Sequence, residues 1–359
     1  MRERYDAPYA LSLNSGTSAI FAALAAFGVE PGDEVVVAGW TFLAAVTPLL
    51  WLGAVPVLAD VAEGEPVADV DSIMAVVTPN TRAVVVTHLF GEPVDTSRIV
   101  QALAPLGIPV LEDCSHAHAS IVDGAAPGSR ADAAIFSVGA RKIVSGGHGG
   151  VLITRDRAIY DTALMVAHTK PRTRLEFEGS TEAQYAELAL GGNLRMSPLA
   201  ATLALDHLAR LDELAIARVE NAEVLADALL PIAEPLRSSA PGENRTYFDV
   251  VFNLTHGESS AGIIEALAAR GVPASTSPTR PLSRTISALS PLSSGRSGRY
   301  WRDLADWAPS VRPLVEAERL YDRSFRFPSE LLYETGAPVA RDFAATISGV
   351  LRKGGSWTR

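Results

Sequence analysis

The chain alternates short β-branched runs with helical stretches over its first two thirds, and this alternation restricts the fold more than any other sequence feature. It is typical of a mostly parallel sheet with helices on both faces. The predicted strands are Glu34 to Ala38, Val55 to Leu58, Ala83 to Thr87, Pro109 to Glu112, Ala133 to Ser137 and Val151 to Thr154. Together they predict a doubly wound α/β sheet.

The segments between these strands carry helix signals. Ile20, Leu24 and Phe27 recur at helical spacing, and the pattern stops at Gly28. Asp95 is placed to cap the helix that follows it, because an Asp side chain can accept a hydrogen bond from the first helical turn.

The pattern changes from Met196 onward. Residues 197–222 form one long, Ala-rich helical pattern, which we interpret as a bridge between two domains. Beyond it, residues 247–254 predict a strand, residues 263–271 a helix and residues 272–275 the start of another strand. We therefore expect a large domain over residues 1–215 and a smaller C-terminal α+β domain over residues 216–359. Residues 278–313 are rich in Ser, Pro and Arg with little periodicity, and we expect a loop or lid there.

The composition narrows the partners and the location. The 359 residues carry a net charge of −10, and no Lys/Arg run exceeds two residues, so nucleic acid is not an expected partner. The single cysteine, Cys114, excludes an intramolecular disulfide and a multi-cysteine zinc site, and no metal is expected. Proline and glycine interrupt the longest apolar stretch, Phe42 to Leu58, and the first residues do not form a signal peptide. We predict a cytoplasmic protein without a membrane span.

Ligands of open α/β sheets lie beyond the carboxyl ends of the strands, and a small-residue run stands near the first of these points. Ser15, Gly16, Thr17 and Ser18 directly precede the helix that contains Ile20. Small residues allow a phosphate to approach the backbone, and the helix N-terminus offers free N–H groups. The alternative is an ordinary helix cap.

A carboxylate stands at the second point, since Asp113 ends a predicted strand whose apolar residues should be buried. A buried carboxylate needs a partner, and a pyridinium nitrogen would serve. The alternative is that Asp113 caps the helix that follows.

A lysine stands at the third point. Lys142 lies in a glycine-dense turn between the strands that contain Phe136 and Val151, directly after Arg141. A lysine beside another cation loses its proton more easily and can then form an imine with an aldehyde. The alternative is a solvated turn lysine.

Seven segments, in order, resemble the DegT/StrS-type sugar aminotransferases of pyridoxal 5'-phosphate (PLP) fold type I. The similarity runs over most of residues 9–215. The segments are SerGlyThrSerAla at 15–19, TrpThrPhe at 40–42, HisLeuPheGly at 88–91, GluAspCysSerHisAlaHis at 112–118, the run from Ser137 to Lys142, GlyGlyHisGlyGly at 146–150 and GlyGlyAsnLeuArgMet at 191–196.

The resemblance implies an aspartate-aminotransferase-like fold and a role for each matching residue. Lys142 would hold PLP as a Schiff base, and Asp113 would pair with the pyridine nitrogen. Phe42 would stack on the cofactor ring, and His116 would lie near the ring hydroxyl. Thr17, Ser18 and Ser137 would hold the phosphate, and Ser15 and Gly16 would also bind the cofactor. Asn193 would reach the phosphate of the neighbouring subunit, which implies a homodimer.

The resemblance also implies a substrate class. Residues 168–174 and 193–204 are similar to the branch that aminates keto-cyclitols and keto-sugars for aminoglycoside-type secondary metabolites, with glutamine or glutamate as donor. Lys170, Arg172 or Arg174 would bind a carboxylate or phosphate, although clustered loop cations are often only solvated. His148 stands where relatives commonly have an acidic residue, and we expect a structural or substrate-facing role.

Two alternatives to this function remain. A PLP-dependent sugar dehydratase of the same family is expected to carry histidine in place of Lys142. A catalytically silent PLP-fold protein would bind a ligand or partner without turnover. For His88, His118 and Arg195, a core histidine or a surface salt bridge is favoured over direct catalysis, with Arg195 kept as a substrate candidate.

Overall fold

The large sheet has seven strands in a computed structural model that describes residues 1–122, 124–177, 184, 191–230, 232–237, 245–257, 259–293, 295–328 and 333–352. The spatial order is β1-β7-β6-β5-β4-β2-β3. The strands are β1 (Tyr9–Leu13), β2 (Glu34–Ala38), β3 (Val55–Ala59), β4 (Thr81–Thr87), β5 (Val110–Asp113), β6 (Ala133–Ser137) and β7 (Gly150–Thr154).

The sheet is parallel except for β7, which pairs antiparallel with both β1 and β6. The six predicted strands are confirmed, with ends shifted by two residues at most. The strand β1 was not among those predicted from the sequence. The carboxyl ends of β4, β5 and β6 therefore lie together at one edge, and β7 starts from the same edge.

Helices cover both faces of this sheet, as predicted. Asp95 caps its helix by accepting a hydrogen bond from the Arg98 N–H, which confirms that prediction. The helices up to the C-terminal part are α1 (Gly16–Ala26), α2 (Thr47–Leu52), α3 (Val70–Met74), α4 (Thr96–Leu103), α5 (Arg157–Ala167) and α6 (Lys170–Glu176).

The predicted long helix is two helices, α7 (Pro198–Ala209) and α8 (Leu211–Leu229), separated at Arg210. Leu211 and Leu214 of α8 pack against the turn that contains Ile143. Further along α8, a second set of apolar residues packs on a small antiparallel sheet. α8 therefore contacts both regions, and the division at residue 215 remains a prediction.

The small sheet has the order β10-β9-β8, formed by β8 (Ala233–Pro235), β9 (Val250–Leu254) and β10 (Ser324–Phe327). The helices α9 (Ala261–Ala268) and α13 (Pro338–Arg352) lie in the same part of the chain. The predicted strand start at residues 272–275 is limited to a single bridge between Ser275 and Arg326.

The predicted loop at residues 278–313 is wrong. The chain forms α10 (Leu282–Ser293) and α11 (Arg299–Trp307) there, followed by α12 (Val315–Arg323). Leu282, Ile286 and Leu304 enter the core on the α1 face of the large sheet. Burial of these apolar side chains stabilises α10 and α11, which the polar composition of the segment did not predict. Within the described ranges, no helix is both long and apolar enough to span a bilayer.

Candidate active site

A cavity of about 150 Å³ opens at the edge where β4, β5 and β6 end. Nine of the predicted site residues line it, namely Ser15, Gly16, Thr17, Phe42, Asp113, His116, Ser137, Lys142 and His148. The parallel strands bring these residues together because their carboxyl ends share one edge.

The start of α1 lies against the end of β6. A Cβ on Gly16 would come within 3.0 Å of the Ser137 Cβ, so glycine permits this approach. The first N–H groups of α1 have no partner inside the helix, and its macrodipole places positive potential there. The Thr17 and Ser137 side chains line the same cavity, which makes this corner suited to an anion.

The two serines of this run serve mainly as the cap of α1. The Ser15 side chain accepts a hydrogen bond from the Ser18 N–H at 3.0 Å. Ser18 is buried, and its hydroxyl donates to Asn14 Oδ1 at 2.7 Å. Ser18 therefore does not line the cavity, and its hydrogen bonds fit the capping alternative.

Asp113 is the last residue of β5 and is 7% exposed. Its Oδ1 accepts a hydrogen bond from the Ser115 N–H at 2.9 Å, which fixes the carboxylate at the cavity wall. A buried carboxylate in this position favours a cationic partner inside the cavity.

His116 is held in a defined tautomer. Its Nδ1 accepts a hydrogen bond from the Phe90 N–H at 3.2 Å, so the proton of the neutral ring is on Nε2 and can be donated to a ligand. Burial, helped by the positive charge of Lys142, holds the pKa of His116 well below its usual value. Phe90 has a φ of 59°, in the left-handed region that residues other than glycine rarely adopt.

Lys142 combines an amine with an altered pKa. Burial lowers the pKa of Lys142 to about 8, Asp113 and Asp249 oppose this fall, and Arg141 adds to it. The Lys142 Nζ lies 4.3 Å from the ring centroid of Phe248, which belongs to the segment that enters β9. An amine with a pKa near neutrality can act as a nucleophile and as a proton carrier.

Phe42 and His148 form the outer wall of the cavity. Phe42 is 63% exposed although it is large and apolar, and an exposed aromatic ring of this kind can stack on a flat ligand that enters the cavity. His148 is exposed in a turn between Gly147 and Gly149, whose φ values are +74° and +147°. Both Gly conformations are unfavourable for other residues, so the turn that carries His148 depends on them.

Besides Ser18, the predicted residues Arg172, Arg174, Asn193 and Arg195 also lie outside this cavity. The exposed Arg195 donates from Nε to Asn193 Oδ1 at 3.0 Å. Arg172 pairs with Glu176 on the same helix and donates to the Tyr160 hydroxyl. Lys170 begins α6, and its side chain lies outside the described part of the structure.

The other two motif histidines are core residues. His88 is fully buried, accepts the Val94 N–H at Nδ1, and lies 3.1 Å from Glu112 through Nε2. His118 is 1% exposed, and burial lowers its pKa to about 3, so its ring is neutral. Both positions match the core-histidine interpretation.

Thr41, Thr87 and Ser115 also line the cavity but were not predicted. Each stands next to a predicted residue or at a predicted strand end, so the strand boundaries could have pointed to them. Phe248 was also missed. It is far from every motif in the sequence and looks like an ordinary strand residue.

The chemistry of these groups fits PLP. The buried Asp113 carboxylate lines the cavity and would pair with a protonated ring nitrogen. His116 offers a hydrogen-bond donor, and the N-terminus of α1 with Thr17 and Ser137 offers an anion site. Lys142 supplies the amine that would bind an aldehyde. These residues could thus combine an electron-withdrawing cofactor with an amine base. Removal of the Cα proton of an amino donor requires both.

Comparison with known proteins places these features in a family. The family model described as the DegT/DnrJ/EryC1/StrS aminotransferase family matches residues 1–287. The L-glutamine:scyllo-inosose aminotransferase of Streptomyces griseus is 30% identical over 355 residues, covering 94% of this chain and 82% of that protein. The L-glutamine:2-deoxy-scyllo-inosose aminotransferase of Streptomyces fradiae is 32% identical over 259 residues, covering 70% of this chain and 60% of that protein.

The fold also matches solved structures. The aminotransferase from Psychrobacter cryohalolentis superposes with a TM-score of 0.81 at 24% identity, covering 98% of this chain and 89% of that one. This likeness confirms the predicted fold of PLP type I.

Proposed function

The chain belongs to the DegT/DnrJ/EryC1/StrS family of PLP-dependent aminotransferases, and we propose that it moves an amino group from glutamine or glutamate to a keto-cyclitol or keto-sugar. The observation that carries the proposal is the joint placement of Lys142 and Asp113 in one cavity. The Lys142 amine and the Asp113 carboxylate line the same cavity, one from the turn after β6 and the other from the end of β5. A PLP-dependent reaction that removes a proton from carbon needs both groups in one place.

Each residue around the cofactor has a separate task in this proposal. Thr17, Ser137 and the N-terminus of α1 would hold the phosphate, and Phe42 would cover the ring. Asp113 would keep the ring nitrogen protonated, and His116, whose Nδ1 accepts the Phe90 N–H, would donate from Nε2 to the ring hydroxyl. PLP, when bound, withdraws electrons from the Cα of an attached amino donor.

Lys142 has two tasks. It would hold the cofactor covalently, and its free amine would take the proton from the Cα of the amino donor. A proton carrier works best when its pKa is close to the working pH, and the pKa of Lys142 is about 8. The same residue can therefore accept and release the proton in turn.

The substrate class rests on the relatives. The two curated relatives are named as glutamine-dependent aminotransferases of inososes, which are polyhydroxylated cyclic ketones. For this chain we propose such an acceptor, within amino-sugar or aminocyclitol secondary metabolism. His148 lines the cavity and would contact the acceptor there, whereas Arg172 and Arg195 would reach a substrate only from outside this cavity.

We propose that the working unit is a cytoplasmic homodimer in which Asn193 reaches the phosphate in the neighbouring subunit. Asn193 is exposed and lies outside the cavity of its own chain. On the adjacent helix α7, Leu199 is 79%, Leu203 56% and Leu205 64% exposed. A second copy of the chain would cover these leucines and bring Asn193 to the other cavity.

The function is tested by half-reactions. We expect the purified protein with PLP to lose its visible absorbance band on addition of glutamine or glutamate and to recover it on addition of scyllo-inosose or 2-deoxy-scyllo-inosose, with the aminated product seen by mass spectrometry. Aspartate and alanine serve as control donors. Loss of the band with no donor, or a product that has lost water instead of gaining an amine, contradicts the proposal.

The dimer is tested by Leu203→Glu. A charge placed on a covered apolar surface should convert the dimer to monomers, measured by sedimentation or light scattering. PLP affinity should fall about 10- to 100-fold, because a hydrogen bond to the charged phosphate is lost. Leu106→Glu, at a leucine 54% exposed on a different surface, is the control that should stay dimeric. A monomeric wild type, or a dimeric Leu203→Glu with unchanged PLP affinity, overturns this arrangement.

A further inference from the structure

An aromatic ring from another part of the chain lies against the amine of Lys142. Phe248 is 7% exposed, and its ring centroid lies 4.3 Å from the Lys142 Nζ. The same ring stacks on His116, with centroids 3.7 Å apart and planes inclined by 6°. One side chain thus contacts two residues of the proposed site.

The backbone fixes Phe248 in this place. Its N–H donates to the Phe90 carbonyl at 2.8 Å, while the Phe90 N–H donates to His116 Nδ1. Phe90, His116 and Phe248 therefore form a closed set of contacts. A change of the Phe248 side chain leaves both backbone hydrogen bonds available.

The next residue ties the segment to its surroundings. Asp249 is 2% exposed and accepts a hydrogen bond from Arg326 Nη1 at 2.7 Å. Its Oδ1 also lies 3.8 Å from Nη2 of Arg141, the residue before Lys142. The segment is thus held on one side by β10 and on the other by the lysine turn.

We propose that Phe248 is a positioning residue for Lys142: the face of its ring seats the amine inside the cavity whenever the amine is not bonded to the cofactor. The inference rests on the proposed amino transfer. An aromatic face attracts an ammonium group, so the ring both restricts the lysine chain and favours the protonated amine.

The charges that face Lys142 set the background for this effect. Burial lowers the pKa of Lys142 to about 8, Asp113 and Asp249 raise it, and Arg141 and Arg218 lower it further. His116 also faces the amine but is neutral, since its own pKa is held well below the usual value. Removal of the ring face should therefore lower the pKa of Lys142 beyond the present value.

The test compares Phe248→Leu with Phe248→Tyr in the full-length protein freed of PLP. Leucine keeps the apolar cover but removes the ring face, whereas tyrosine keeps the face. The first readout is labelling of Lys142 by an amine-selective reagent as a function of pH, followed by peptide mass spectrometry. The second is the rate at which added PLP becomes covalently bound, which should rise with pH as the amine loses its proton.

We expect the pH midpoints of Lys142 labelling and of covalent PLP binding to fall by about half a pH unit to one pH unit in Phe248→Leu. In Phe248→Tyr both midpoints should stay near the wild-type value. In the donor half-reaction, kcat should fall about three- to tenfold in Phe248→Leu with KM nearly unchanged, because the amine is less well placed.

Phe252→Leu is the matched control, because Phe252 is a buried phenylalanine of β9 that stacks on Phe325 in the small sheet. It should lower Tm without moving the Lys142 midpoint. Equal midpoints in wild type, Phe248→Leu and Phe252→Leu overturn the proposal. If wild type fails to bind PLP covalently, the proposed function fails, whereas the labelling midpoints still decide the role of Phe248.

Discussion

Replacement of Lys142 by alanine is expected to remove covalent attachment of PLP and to slow the donor half-reaction at least about 10³-fold, because the variant loses both the tether and the proton carrier. Two losses at one position make this the largest effect that a single side chain of this cavity should have. The visible absorbance band of the lysine-bound cofactor should be absent. Borohydride reduction followed by mass spectrometry should find PLP on the peptide that contains Lys142 in the wild type only.

Lys142→Arg separates the amine from the charge. Arginine keeps a cation in the cavity but does not lose its proton near neutrality, so it can neither attach PLP nor carry the proton. We expect Lys142→Arg to be as inactive as Lys142→Ala, and added methylamine to restore part of the activity in Lys142→Ala alone, since the arginine side chain fills the space. Retained covalent PLP in either variant would show that another residue is the tether.

Much of the fold followed from the sequence because the strands of a doubly wound sheet are buried on both faces. The run from Glu34 to Ala38, for example, is nearly all valine and alanine, and its side chains from Val35 onward are buried. β1 was missed for the opposite reason. Its sequence, TyrAlaLeuSerLeu, has no β-branched residue, and it becomes a strand by pairing with β7 along its whole length.

The helices within residues 278–313 show that amino-acid composition alone does not reliably predict a loop. α10 contains Pro291 and several serines, although Leu282, Ile286 and Leu289 recur in it at helical spacing. What stabilises it is the packing of Leu282 and Ile286 against the α1 face of the large sheet, together with Trp307 of α11, whose Nε1 donates to the Pro56 carbonyl. Such long-range contacts are not encoded in a local pattern.

The residues of the site also divide into those that the sequence could predict and those that it could not. Asp113, Ser137 and Lys142 could be predicted because each stands at a strand end of one sheet edge or in the turn beyond it. Ser18 was predicted to bind phosphate, but its place on the inner side of the first helical turn directs the hydroxyl to Asn14. Phe248 could not be predicted, because only the folded chain brings its segment across Phe90 to the lysine.

Replacement of Asp113 by asparagine is expected to reduce kcat of the donor half-reaction about 10²- to 10³-fold, a rise of roughly 3–4 kcal/mol in the activation free energy. This is similar to the cost of removing one partner of a buried charge pair. The change is nearly isosteric, and an amide oxygen can still accept the Ser115 N–H that orients the carboxylate, so the fold should be preserved. What is lost is the negative charge that keeps the ring nitrogen protonated. KM for the donor should therefore change much less than kcat, since the donor binds before the charge is needed.

Asp95→Asn provides the comparison that isolates this charge. Asp95 caps α4 by accepting the Arg98 N–H at 3.3 Å and lies outside the cavity, and asparagine is an equally good cap. Its kcat and its Tm should match the wild type. The two variants thus undergo the same chemical change, and only one of them does so beside the ring nitrogen. If Asp113→Asn retained kcat within about threefold of Asp95→Asn, a difference below 1 kcal/mol, the carboxylate would not be the partner of the cofactor. In that event the positive charge would have to be balanced from elsewhere in the cavity, and no other carboxylate lines it among the residues that the structure describes. The kcat ratio of this pair of variants therefore measures directly what the position of Asp113 at the end of β5 contributes to the reaction.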